Sequence, residues 1–128
     1  MTYEEKKKYL SCFSTLDAHI DALIKEKEKW YNRALSIKYT AFDVDNVGNL
    51  LKKASELEKE IDKNIDALVD IREKITNDIG SIDDFVCKEI LYLKYISGNS
   101  FEQIGEKLGY SEKQIGRLHK KAIEKIIL

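Results

Sequence analysis

Two runs of apolar residues, spaced alternately by three and four, cover most of the first eighty positions and leave room for little except long helices. The first run is Tyr9, Phe13, Leu16, Ile20, Leu23, Trp30, Ala34 and Ile37, interrupted by Lys27. The second is Leu50, Ala54, Leu57, Ile61, Leu68, Ile71 and Ile75, with Asn64 in the same stripe. Such spacing returns side chains to one face of an α-helix, and sustained over several turns it is the a and d seam of a coiled coil. A half-buried strand would alternate every second residue instead. No proline occurs in the 128 residues, and charged residues make up 35% of them. Both facts suit solvent-exposed helices and argue against a loop-rich or all-β fold.

Thr2 and Glu5 form a capping box from which a single helix is expected to run to about Tyr39. The stretch TAFDVDNVGN, residues 40–49, is rich in turn formers and divides the two seams. Seams of similar length joined by a short polar loop fold back most economically as an antiparallel hairpin. A second apolar flank of Ile24, Tyr31, Leu51, Ile65 and Val69 remains, which is the basis for expecting a homodimer through these N-terminal helices, with Asn64 fixing its register. Gly80 and Ser81 are read as the end of the second long helix and the cap of a third carrying Ile82, Val86, Ile90 and Leu93 inward. The expected architecture is all-α: a long coiled-coil-like hairpin over 1–80, then a three-helix head with a helix-turn-helix over 81–128. Phe85, Tyr92 or Tyr95 would dock that head on the hairpin base, because so short a head has little core of its own.

The last thirty residues carry the functional signal. A turn between two short helices must stop and restart the backbone within a few residues, and the residue types that do so are all present. Gly98 can end one helix; Ser100 with Gln103 forms a capping box that starts the next. Gly109 supplies the turn, and Ser111 with Gln114 repeats the box at the start of the final helix. Gly105 is the small residue that lets the two helices approach. Ile104, Leu108, Ile115, Leu118 and Ala122 fall inward at helical spacing, whereas Lys113, Arg117, Lys120 and Lys121 gather on the outward face. Together these features fit a helix-turn-helix whose last helix reads double-stranded DNA.

Donor geometry assigns the outward face. Arg117 can grip guanine O6 and N7 with two hydrogen bonds, Gln114 can do the same for adenine N6 and N7, and Lys113 can serve at either base. Lys120 and Lys121 lie where the groove curves away and are expected on phosphates, with Lys107 and the capped amides near Ser100. His119, near the edge of the inward face, is read as a packing residue.

The residues LKYISGNSFEQIGEKLGYSEKQIGRLHKKAIEKI resemble region 4 of bacterial sigma factors over about the last third of the chain. With the charged helical region in front, the whole chain resembles small phage and prophage transcription regulators of the RinA and ArpU type. The resemblance implies major-groove reading by the last helix from the positions of Glu112, Lys113, Gly116 and Arg117, and RNA polymerase as a candidate partner. Glu112 stands where sigma factors often carry arginine, and Gly116 has no side chain, so the promoter element of that family is not expected to be the site here. A small terminase-like DNA packaging subunit and a coiled-coil adaptor without DNA binding are the alternative readings.

From residue 85 onward eight Lys or Arg face five Asp or Glu, while the residues before carry fourteen against eighteen. An acidic front part repels phosphate, so it is expected to point away from a duplex. Cys12 and Cys87 have no His or Cys neighbours at metal spacing, so neither a metal nor a cofactor is implied, and free, buried thiols are expected. Asp83 with Asp84 and Asp43 with Asp45 lack a histidine, a phosphate loop or a nucleophile in context and read as caps and turns, so no enzyme is expected. Neither a signal peptide nor an apolar run long enough for a membrane span is seen, and the cytoplasm is the expected compartment.

Overall fold

The computed structural model describes residues 1–40 and 44–128; residues 41–43, and the side chains of residues 37–40 and 44, lie outside it. The seam position Ile37 and the Asp43 half of one acidic pair therefore lie outside the described residues. Among the described residues the chain forms six helices and no strand: α1 (Tyr3–Leu10), α2 (Cys12–Thr40), α3 (Val44–Gly80), α4 (Phe85–Tyr95), α5 (Phe101–Leu108) and α6 (Glu112–Lys125). The all-α fold implied by the periodicity is present.

Thr2 caps α1, its hydroxyl accepting from the Glu5 amide at 3.2 Å. The single helix expected to Tyr39 is interrupted at Ser11. There the Ser11 hydroxyl donates to the Lys7 carbonyl at 2.8 Å and the Cys12 thiol donates to the Lys8 carbonyl at 3.5 Å. Such back-bonding competes with backbone amides for the same carbonyls and bends helices. Of the stretch 40–49 read as turn-forming, Thr40 ends α2 and residues 44–49 are already helical. Val47 and Leu50 are half-buried, so the apolar stripe starts one step earlier than Leu50, and Asp45 lies in the first turn, where the helix dipole favours a carboxylate.

The described residues divide into two compact units, 16–68 and 1–15 with 69–128. The division falls at 15/16 and 68/69, whereas the sequence alone divides the chain at residue 80. Leu10 of α1 and Ile75 and Ile79 of α3 are buried in one cluster with Ile82, Cys87, Leu91, Tyr95, Ala122, Ile123 and Ile126. Each such aliphatic side chain contributes about 1.5 to 3 kcal/mol on full burial. The C-terminal helices thus recruit the start of the chain and the end of α3 to complete a core they could not build alone.

Unit 16–68 is an antiparallel pair of helical segments. Ile20 and Leu23 are buried against Ile61, with Leu16, Ile24, Leu57 and Leu68 around them, and Ala34 and Ala54 are buried as well. Lys53 lies over the Trp30 ring at 4.5 Å. Asn64 is half-buried in the seam but donates to the Glu60 carbonyl of its own helix at 3.0 Å.

In the other unit α4 is central and packs on two faces. Ile90, with Val86 and Leu93, meets Ile104 and Ile115, while Cys87, Leu91 and Tyr95 face the cluster containing Leu10 and Ile75. The cap of α4 is Asp84, accepting from the Cys87 amide at 3.0 Å, which bears out its reading as a capping residue, whereas Ser81, also expected to cap this helix, does not. Ser81 instead donates to the Asp78 carbonyl at 2.6 Å as α3 ends. Of the three aromatics expected to dock this region, Tyr95 is buried and the Tyr92 hydroxyl accepts from Arg72 at 3.1 Å, but Phe85 is 71% exposed and docks nothing. Cys87 is buried as expected, whereas Cys12 is exposed.

Candidate nucleic-acid interface

Local chemistry sets the turn between α5 and α6. The Ser100 hydroxyl accepts from the Gln103 amide at 3.2 Å, and the Gln103 carboxamide oxygen accepts from the Ser100 amide at 2.9 Å. Ser111 and Gln114 repeat both bonds at the same distances. Each box satisfies two amides that a helix start otherwise leaves open. Gly109 has φ 79°, a conformation that favours glycine, and its amide and that of Tyr110 both donate to the Gly105 carbonyl, at 2.9 and 3.0 Å. A Cβ on Gly105 would run into the Tyr110 carbonyl oxygen. The small residue is therefore demanded by the backbone of the turn itself.

This turn presents α6 with one face inward. Ile115, His119, Ala122 and Ile123 are buried, and α6 packs against α1, α4 and α5. Its last carbonyls, those of Ile123 and Glu124, accept from the Lys6 ammonium of α1 at 3.4 Å. The other side carries every residue expected to read bases: Glu112, Lys113, Gln114 and Arg117 are all exposed, as are Lys120 and Lys121. Lys113, Arg117 and Lys120 fall on one stripe at spacings of four and three. Among the described residues none of Lys113, Arg117, Lys120 and Lys121 sits in an ion pair. Their charge is available to an external anion. The charges of Lys125 and Lys121 oppose the rise that burial and Asp84 impose on the Cys87 thiol. Lys125 itself is held 3.5 Å from Asp84.

For two of the residues expected at DNA, polar groups are already engaged within the chain. The Gln114 carboxamide oxygen is engaged by the Ser111 amide at 2.9 Å and hydroxyl at 3.1 Å. Gripping adenine with two bonds needs that oxygen, so base reading by Gln114 would open the cap. Ser100 is committed in the same way, its amide and hydroxyl both used by Gln103. Lys107 is exposed and reaches Asn99 at 3.2 Å, which places its ammonium beside the start of α5.

Lys94, which sequence reasoning passed over, also stands near the start of α5. Its ammonium stands 4.9 Å from the Phe101 ring centre. With Asn99, Ser100, Ser11 and Ser14 it lines a hollow of about 440 Å³ at the start of α5. The available signal was a lysine in the last turn of α4, four residues before Gly98.

Gly116 is half-buried on the reading helix, and a Cβ there would meet only the Phe101 ring at 4.0 Å, an ordinary contact. Nothing within the chain demands glycine at this position. His119 behaves as a packing residue: it is 4% exposed, its Nε2 shares a 2.7 Å hydrogen bond with the Tyr95 hydroxyl, and its ring lies 5.0 Å from Phe101. Burial, with the charges of Lys7 and Lys94, lowers its pKa to about 4.

Comparison with family models, curated proteins and solved structures finds no match to this chain. Among the described residues no helix is long and apolar enough to cross a membrane, and no group of three or more His, Cys, Asp or Glu is placed to hold a metal ion.

Proposed function

We propose that this chain is a sequence-specific DNA-binding transcription regulator, of the phage and prophage kind it resembles, that inserts α6 into the major groove. The supporting observation is the two-sidedness of α6. Its apolar side is anchored on three other helices, while Lys113, Arg117 and Lys120 stand exposed in one stripe without intramolecular partners.

An α-helix fits the B-DNA major groove, and a guanidinium presents two parallel donors to guanine. Arg117 is accordingly the base-reading residue, with Lys113 beside it nearer the start of the helix. Lys120, Lys121, Lys107 and Lys94 supply phosphate contacts that hold the register. Glu112 repels phosphate and favours a cytosine amino group if it reaches a base edge.

The test is selection of bound duplexes from a random pool, followed by titration of the selected duplex and a scrambled one over a range of salt. An enriched motif, and affinity falling with salt by a log–log slope of about −0.9 for each phosphate contact, are expected. A pool that emerges unenriched, with no binding at low salt, would contradict the reading.

A further inference from the structure

Glycine is among the poorest helix formers, yet Gly116 stands inside α6. Its backbone is helical, unlike that of Gly98 and Gly109, so no left-handed conformation calls for it. Close packing does not call for it either. A Cβ built on Gly105 would run into the Tyr110 carbonyl, whereas one on Gly116 would meet only the Phe101 ring, at 4.0 Å. A residue that weakens its own helix and serves no contact within the fold leaves room for something outside the chain.

The surroundings say what that is. Residues three and four apart are neighbours on a helix surface, so Lys113 and Lys120 flank Gly116 directly, with Glu112 and the buried His119 beside them. From α5 comes the Phe101 ring, and the Lys94 ammonium of α4 stands 4.9 Å from the centre of that ring. Among the described residues none of Lys94, Lys113 and Lys120 sits in an ion pair. The glycine is thus a notch floored by backbone and an aromatic edge, with three unpaired ammonium groups around it and one carboxylate. Such a notch suits a ridge of negative charge.

Its place on the helix decides which ridge. Gly116 is half-buried, at the margin between the buried side of Ile115, His119, Ala122 and Ile123 and the exposed stripe of Lys113, Arg117 and Lys120. With its side chains an α-helix is about 10–12 Å across, and the major groove is about 12 Å wide, so an inserted helix touches the groove walls. The middle of its exposed side meets base edges; its margin meets sugar and phosphate. We infer that one sugar–phosphate strand bordering the major groove seats directly on Gly116, with Lys94 and Lys120 on its phosphates. This rests on the reading of α6 as the helix that enters DNA. Glu112, one turn earlier on the same flank, repels phosphate and holds the strand toward Lys120. Gly116 is then a positioning residue: it reads no base, and it sets how deeply Arg117 can reach.

Titration of the selected duplex with variants of the full chain tests the inference. Gly116→Ala should lower affinity several-fold and Gly116→Leu by a larger factor, although thermal unfolding should show Gly116→Ala no less stable than the parent chain. Lost binding is then not lost fold. Selection repeated with Gly116→Ala should return the same motif, because no base contact is removed. Lys94→Ala should make the log–log salt slope shallower by about 0.9, the share of one phosphate. If the parent chain binds the duplex and both Gly116 variants bind it equally well, no strand seats on Gly116, and the reading of α6 stands without it. A motif changed at one base pair by Gly116→Ala would set the glycine at a base edge and overturn the assignment to a strand. An unchanged salt slope in Lys94→Ala would contradict the seat as well. A parent chain that binds no duplex at low salt removes the reading of α6 and this inference together.

Discussion

The imidazole of His119 on α6 and the hydroxyl of Tyr95 on α4 share a buried hydrogen bond of 2.7 Å, and this pair ties the helix that faces solvent to the centre of its unit. Burial and the charges of Lys7 and Lys94 lower the histidine pKa from 6.5 to about 4. The folded chain therefore binds the neutral ring, while the unfolded chain takes up a proton below pH 6.5. The stabilisation from neutral His119 is complete above pH 6.5 and is lost progressively as the pH falls toward 4, by about 2 to 3 kcal/mol. Denaturant unfolding measured from pH 7.5 to 4 should show a slope over this window that His119→Gln flattens. Parallel profiles for the two proteins would contradict the assignment.

Gly105 and Gly116 should respond in opposite directions to the same change. At Gly105 an added methyl meets the Tyr110 carbonyl, backbone that cannot step aside without moving the turn, so Gly105→Ala should destabilise by about 1 to 3 kcal/mol. At Gly116 the methyl meets only the Phe101 ring at ordinary contact distance, so Gly116→Ala should stabilise by up to about 1 kcal/mol through helix propensity. Thermal unfolding of both variants checks this. If Gly116→Ala also weakens binding to the selected duplex, glycine there serves close approach to DNA.

Removal of the second capping box should cost about 1 kcal/mol, read as Ser111→Ala in equilibrium unfolding. Gln114→Ala should lose stability of similar size but leave the preferred DNA sequence unchanged, since its carboxamide oxygen is held by Ser111. A shift of preference at one base pair in Gln114→Ala would return the residue to base reading.

What could be read from sequence was what is encoded within a few residues. Both capping boxes, the left-handed Gly109 and the small Gly105 stand where spacing put them, and the inward and outward sides of α6 separate as its periodicity implied. The losses came where distant residues decide. Leu10 and Ile75 join the core of the C-terminal helices through contacts no local pattern announces. Asp84 won the cap of α4 from Ser81 because the helix starts where Cys87 and Leu91 can face inward. Turn formers such as Asn46 and Gly48 were absorbed into α3, where the apolar stripe outweighed their intrinsic preference. Lys94 was invisible as a candidate because only the fold sets it beside Ser100.

The most direct measurement compares Arg117→Ala and Lys121→Ala on the selected duplex and on a scrambled one. Arg117→Ala should cost about 1 to 3 kcal/mol on the selected duplex and much less on the scrambled, because it removes two hydrogen bonds to one base. Lys121→Ala should weaken both alike, because a phosphate contact carries no sequence information. Equal losses on every duplex for both variants would contradict the claim that the exposed side of α6 reads DNA.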